Sequence, residues 1–380
     1  LPDTRHPVDP PGPPATDGAA LDALPPTATG AEVWRALGGA GLLTRAYRGG
    51  DPRTGPDPDG LAELLGAVDA RFSLAATLSV SVQLATALPL LAVGRERRAH
   101  HALDGALAGR ATVALAATDV TAGTDLTALR TRVTLDDDGL TLTGEKNWIA
   151  NTTTAAHFLV LARHRPGRHF THFTWVLVPA GTPGVTVRPA DSALFADAGT
   201  GHLAFDGVRL GRDHILGRTG FGLPLFARHI ATERLAGAQW AVALCRRVLA
   251  DTHRHLTRRA HGDGTLWDLD AVRQRFASCL VRASELRALV ADLSDAVAFR
   301  YDATAAATLK AAAGATVHHV LDTCGRLWGA AGFTTGGVQE LRAQAALFGI
   351  GGGATEVVLG TVADAAESVL AALARPGTLP

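Results

Sequence analysis

Glu233 and Arg234 sit side by side in HIATERLAGAQWAV, a stretch whose apolar residues recur at helical spacing. A carboxylate there has two uses. It can be an ordinary solvated or ion-paired helix residue, because Glu-Arg pairs are common on helices. In a dry pocket it can be a general base, since burial raises its pKa. Three other segments carry residue types that could serve such a base. TDVTAGTD, from Thr118 to Asp125, is a strand end running into small and hydroxylated residues. Such a loop offers N–H and O–H donors to a ligand's edge, or is simply a Thr-rich turn. GEKNWIAN puts Trp148 where an indole could cover a planar group, or could lie half-buried on a strand. LWGAAGFTTGGVQELRAQAALFGIGGGATEVV is rich in glycines, which let a backbone approach phosphates closely. Taken alone it is a loop before a last helix.

The surrounding pattern shows what must hold these segments. Residues 1–30 are Pro-rich and lack helical periodicity, so they are expected to form an extended arm or linker. From Ala31 to about residue 110 the apolar spacing is helical. Between 111 and 221, short Thr- and Val-rich segments alternate at period two, separated by Asp-, Gly- and Pro-bearing turns, as in an antiparallel sheet or barrel. Helical spacing resumes at Gly222, with breaks near His261–Gly264, Phe299–Asp302 and Gly332–Gly337. The expected fold is therefore α+β in α–β–α order, without the βαβ alternation of a Rossmann sheet.

Composition narrows the function further. The 380 residues are 47% hydrophobic and 19% charged, too apolar for a disordered chain. Lys+Arg and Asp+Glu balance at 36 each, so no basic stripe argues for nucleic acid. Lysine occurs only at Lys146 and Lys310, and methionine nowhere. Cys245, Cys279 and Cys324 are widely spaced and are expected as reduced, buried thiols of a cytoplasmic protein. No basic-then-apolar leader is evident, and no apolar run reaches the ~18 residues of a membrane span. His253/His255, His318/His319 and the group His164, His169, His172 lack partners at metal spacing, so no metal is expected. No GxSxG, P-loop or HExxH occurs.

In order and spacing, these segments resemble the signatures of the acyl-CoA dehydrogenase family, from about Ala111 to Ala366 and more weakly from Trp34. TDVTAGTD is similar to T-E-P-x-A-G-S-D, and GEKNWIAN to G-x-K-x-W-I-T-N. GHLAFDGVRLGRDHILG resembles the strand–turn–strand that closes the family's β domain. The resemblance implies an N-terminal α-helical domain (31–110), a middle antiparallel β-barrel or sandwich domain (111–221) and a C-terminal four-helix bundle (222–380). It implies FAD and oxidation of an acyl thioester at Cα–Cβ, the acyl group riding on CoA or an acyl-carrier protein. Electrons would pass to an electron-transfer flavoprotein or another acceptor, and the chain would form a homo-oligomer, dimer or tetramer, with no membrane partner.

The same resemblance assigns residues. Ala117 and Thr118 would face the flavin pyrimidine, with Trp148 and Ala150 beside the ring. Arg258 and His261 would grip the FAD of a neighbouring subunit, and Arg326, Gly329 and Ala330 would lie against its phosphates, with Thr355 also on the cofactor side. Thr124 would meet the FAD pyrophosphate or the substrate, and Arg234, Gly352 and Gly353 would meet substrate. Many family members carry the base where Gly352 stands here. A minority, including the isovaleryl and long-chain branches, carry it on the long helix, where this chain has Glu233. The two changes fit together, so Glu233 is the expected base.

Departures keep other readings open. Ala150 replaces a threonine that bonds flavin N5, which leaves a same-fold oxidase or monooxygenase possible. His261 stands for a phenylalanine, Leu269 falls near an expected glutamine, and Ala354 replaces a threonine. The spacing from Arg234 is one residue short, so the gripping arginine is Arg258 or Arg259. These losses also leave room for a non-catalytic, degenerate family member.

Overall fold

The structure, a computed structural model, describes residues 17–119 and 123–374. Residues 1–16 of the expected arm lie outside the described residues, as do 120–122 of TDVTAGTD. From residue 17 the arm reading is corrected. Helix α1 (Asp17–Asp22) forms because Leu21 finds a buried seat and the Asp22 carboxylate meets Arg71 at 2.8 Å. Helix α2 (Gly30–Gly39) starts at a reciprocal cap between Thr29 and Glu32. Asp57 and Ser73 cap α3 (Pro58–Asp69) and α4 (Leu74–Val82) one way, their side chains accepting the Gly60 and Ala76 N–H groups. Helix α4 runs through a π turn (Gln83–Ala87) into α5 (Leu88–Ala92), and α6 (Arg97–Leu107) completes this layer. Pro89 explains the π turn: it has no N–H for the carbonyl of Ala85, and its ring crowds that carbonyl.

The sheet comprises β1 (Thr112–Ala116), β2 (Arg132–Leu135), β3 (Leu140–Ile149), β4 (Ala155–Arg163), β5 (Phe173–Pro179), β6 (Val185–Pro189), β7 (Gly201–Leu210) and β8 (Ile215–Leu216). Its order is β6-β7-β3-β2-β4-β5-β8, with β1 also on β4. Pairing is antiparallel except that β1, and one bridge from β2, run parallel to β4. That corrects the purely antiparallel expectation. No hairpin turn ties β1 to β4, and two strands intervene between them, so nothing local dictates an antiparallel approach. Period two divides the burial: Phe158, Val160 and Ala162 fill the sheet's own core, while Leu159 and Leu161 join the helical core.

Helix α7 (Gly222–Arg258) is the spine of the last layer. A short hairpin of β9 (Ala260–His261) and β10 (Gly264–Thr265) leads to α8 (Asp270–Arg300), and α9 (Ala303–Trp328) follows a left-handed Tyr301. The fourth side of the bundle comes in pieces: α10 (Val338–Ala345), α11 (Leu347–Ile350), α12 (Thr355–Asp364) and α13 (Ala366–Leu373). The three cysteines, distant in sequence, sit one each on α7, α8 and α9, free and buried.

Two helical stretches, Leu74–Ala92 and Val338–Asp364, are long and apolar enough by length and composition to cross a membrane, contrary to the expectation that none would be. The first is 89% buried inside the protein. Its Ser79, Ser81, Gln83 and Thr86 broke up the apolar run in sequence yet lie in the core, Gln83 accepting the Val113 N–H at 2.9 Å. The second is only 17% buried, and residues 351–354 interrupt its helix.

Asp69 at the end of α3 is 2% exposed and binds α7 twice. It accepts the Trp240 indole N–H at 2.9 Å and the Arg247 guanidinium at 2.9 and 3.1 Å. Removing one partner of a buried pair strands the other. Asp69→Ala is therefore expected to cost about 3 kcal/mol or more in urea unfolding. A cost within about 0.5 kcal/mol, the range of an ordinary surface substitution, would contradict this role.

Candidate active site

Glu233 points from α7 into the seam between the two helical layers. Its carboxylate accepts the Thr86 hydroxyl at 2.8 Å. Thr86 lies in the π turn, whose wider pitch turns it toward α7. The carboxylate opens onto a small, mostly apolar pocket of about 60 Å³, with Leu78 and Val82 on one side and Ala313 and Leu347 on another. Burial raises the Glu233 pKa, while the Thr86 hydrogen bond and the Arg234 charge oppose that rise. A base in a dry pocket, with its proton affinity raised, suits abstraction of a weakly acidic C–H proton.

The glycine segment closes the mouth of this pocket. Gly352 (φ 71°) and Gly353 (φ 102°) both hold left-handed backbone that a side chain would strain. Arg234 donates through Nε to the Gly352 carbonyl at 3.0 Å, and the Ala354 N–H donates to Thr124 Oγ1 at 3.2 Å. Among the described residues, neither the Gly352 nor the Gly353 N–H has a hydrogen-bond partner. Two such donors in consecutive left-handed residues suit a carbonyl oxygen that gains negative charge. Thr124, Glu233, Arg234, Gly352 and Gly353 thus lie together around this pocket and its glycine segment.

Lys310, which the sequence left without a role, secures this segment. Its Nζ donates to the Gly349 carbonyl at 2.9 Å and to Thr355 Oγ1 at 2.6 Å. Burial, with the Arg234 charge, brings its pKa down to about 8. Thr355 in turn donates to Gly349 at 3.1 Å. Its hydroxyl thus ties the loop to Lys310.

A second group lies on the sheet. Trp148 is 60% exposed, with left-handed backbone (φ 56°) at a register shift between β3 and β7. A bulge there turns the indole outward, and its edge meets His202 at 5.4 Å between centroids. Ala150 follows at the strand end, half-buried. Beneath, fully buried Lys146 donates to the Ala117 carbonyl at 2.9 Å, and Thr118 Oγ1 donates to the Asn147 carbonyl at 3.0 Å. Burial draws the Lys146 pKa down to about 7 despite the nearby Asp119 charge. An exposed indole on a rigid, hydrogen-bonded strand end is a surface that a planar ring would cover.

A third group stands apart. Arg258 ends α7, 25 residues after Glu233 and so roughly 37 Å along an unbroken helix. Arg258 and Arg259 line an open cavity of about 640 Å³ with Arg254, His255 and Trp328. His255 stacks on Trp328, centroids 4.2 Å apart. Gly329 and Ala330 are exposed beside it. His261 is exposed in the short hairpin. Arg326 is exposed; Asp322, one turn earlier on α9, pairs with it at 3.0 Å and also binds Arg342 at 2.7 Å. Among the described residues no cluster of His, Cys, Asp and Glu could hold a metal ion.

Thr86→Val would remove the hydrogen bond that favours ionised Glu233. The pKa should rise further, so the acid limb of kcat/KM is expected to move to higher pH, with severalfold loss at mildly acid pH. An unmoved limb in a pH–rate profile would show that Thr86 does not tune the base.

Comparison with known proteins agrees with this geometry. Residues 114–208 match the family model "Acyl-CoA dehydrogenase, middle domain", and residues 220–367 match "Acyl-CoA dehydrogenase, C-terminal domain". The chain is 28% identical to the acyl-[acyl-carrier-protein] dehydrogenase MbtN of Mycolicibacterium paratuberculosis over 310 residues, 80% of this chain and 77% of that protein. Its fold superposes on butyryl-CoA dehydrogenase from Megasphaera elsdenii with a TM-score of 0.78 at 21% identity, covering 88% and 90% of the two chains. A structure described as the FAD complex of PigA superposes with a TM-score of 0.82 at 17% identity, covering 92% and 93%. At those identities the two superpositions speak for the fold.

Proposed function

The chain belongs to the acyl-CoA dehydrogenase family, and from that premise we propose that it removes an α-proton and a β-hydride from an acyl thioester, with Glu233 as the base. The observation that carries this reading is the half-buried Glu233 carboxylate facing an apolar pocket, near two glycine N–H groups that have no hydrogen-bond partner among the described residues. The thioester carbonyl would lie against the Gly352 and Gly353 N–H groups, which hold the negative charge its oxygen gains as the α-proton leaves. Glu233 takes that proton at a carboxylate oxygen, while Thr86 keeps the carboxylate aimed. Arg234, bound to the Gly352 carbonyl, holds the glycine segment open. FAD, when bound, supplies the acceptor for the β-hydride.

The residues present fit that cofactor. Trp148 offers a bare aromatic face at the strand end, and the arginine-lined cavity offers cations of the kind a pyrophosphate needs. The roughly 37 Å between Glu233 and Arg258 is too long for one chain to hold both ends of one FAD. We therefore assign the Arg258 cavity to the FAD of a second copy, which makes the working unit at least a dimer. The MbtN relatives favour a carrier-protein-bound acyl group, with CoA as the other thioester donor. A non-catalytic role fits poorly, because a structural glutamate would have no reason to stay unpaired by a cation inside an apolar pocket.

The test is to reconstitute the purified protein with FAD and offer matched acyl-CoA and acyl-carrier-protein thioesters with an artificial electron acceptor. Enoyl thioester formation is expected. Flavin binding without enoyl product from any thioester would overturn the reading. Rapid peroxide formation in air without added acceptor would assign an oxidase instead.

A further inference from the structure

The Glu233 pocket has a floor, and the floor bears on which acyl groups enter. Glu233, Gly237 and Trp240 line it from one helix, at positions 0, +4 and +7 of α7. That spacing stacks them on a single face over two turns, roughly 10 Å from first to last. The middle position is bare: a Cβ added at Gly237 would meet no atom within 4 Å. A chain leaving the base would run over this gap and then meet Trp240.

Trp240 cannot easily swing aside. It is 3% exposed, and its indole packs on Phe348 with centroids 4.8 Å apart. Its N–H is bonded to Asp69, and Asp69 is clamped by Arg247. Rotating the ring away would leave a buried donor and a buried carboxylate without each other. A jointed aromatic gate would lack that bolt.

Resting on the proposed dehydrogenation, we infer that Trp240 ends the acyl pocket and makes this protein selective for short acyl groups, about six carbons or fewer given the ~10 Å of helix rise between base and floor. Asp69 is the positioning residue for that floor. Gly237 supplies the clearance over which the chain lies, so its replacement would close the pocket from the side.

Equilibrium binding tests this without depending on turnover. The FAD-loaded protein is titrated calorimetrically with α,β-enoyl thioesters from butenoyl to hexadecenoyl, the products of the proposed reaction. Wild type is expected to bind butenoyl and hexenoyl forms and to lose about 100-fold in affinity by dodecenoyl, the scale on which a closed apolar pocket discriminates. Trp240→Ala should recover the long chains, and Trp240→Leu does the same if the alanine variant folds poorly. Gly237→Val, whose added Cβ would meet no atom within 4 Å, should abolish binding of the short chains. Equal or tighter binding of dodecenoyl and hexadecenoyl forms by wild type overturns the short-chain assignment while leaving the dehydrogenase reading intact. Absence of binding at every length overturns both.

Discussion

Glu233→Gln is expected to lower acyl thioester dehydrogenation by about a thousandfold, the scale of a lost general base, while FAD binding persists. The neutral amide keeps the shape and can still accept the Thr86 hydroxyl, so geometry survives and proton affinity does not. Stability should move the other way. Burial raises the Glu233 pKa in the folded protein above its unfolded value. The folded state therefore binds this proton more tightly, and the stability that follows is complete below the unfolded pKa and lost as pH rises through the folded one. Glutamine avoids that loss. The variant should melt above wild type at neutral pH, and the difference should vanish in acid. Thermal melts across pH alongside steady-state rates check both halves. A variant equally active, or less stable at neutral pH, would remove Glu233 from the role assigned to it.

Arg258→Ala/Arg259→Ala is expected to release FAD, lowering its affinity by about two orders of magnitude, as loss of charge-assisted phosphate contacts would. The more telling outcome comes from mixing. If the cavity of one copy holds the FAD that serves Glu233 of another, the arginine variant and Glu233→Gln are each inactive for different reasons. A hybrid of the two contains one site with intact Glu233 and an intact arginine cavity from its neighbour. Co-expression should therefore restore up to about half of the activity per hybrid dimer, following the symmetric pairing of the two sites. Equilibrium dialysis of FAD and rates of the co-expressed pair measure the two effects. Full FAD affinity in the arginine variant, or no recovery on mixing, would place the cofactor grip elsewhere.

Much of the layer order was legible because period-two and helical stretches abut with little ambiguity, as near Ala111 and Gly222. Glu233 and the Gly351–Gly353 turn were legible for a different reason: the same residue types recur at the same spacing in a known family. What failed to show in sequence depends on neighbours far along the chain. Thr86 sits 147 residues from Glu233 and reaches it only through a π turn that Pro89 induces. Lys310 reads as one cation on a helix until its carbonyl partner on α11 is known. Short motifs likewise cannot reveal the partners that Thr355 and Arg326 have within the fold, here Lys310 and Asp322. Leu21 lies in a short apolar run, AALDAL, inside a Pro-rich stretch, too brief for periodicity to register, yet it has a buried seat. The Trp240 floor needed both the helix face and its anchor, Asp69, which lies 171 residues earlier.

The most direct test is a single anaerobic turnover. FAD-loaded wild type mixed with excess butyryl thioester, on CoA or a carrier protein, should lose the visible oxidised-flavin band while the α,β-enoyl thioester forms in equal amount. The Glu233→Gln protein under the same conditions should keep the band. Retention of the band by wild type with every thioester offered, or equal bleaching by both proteins, would contradict the account.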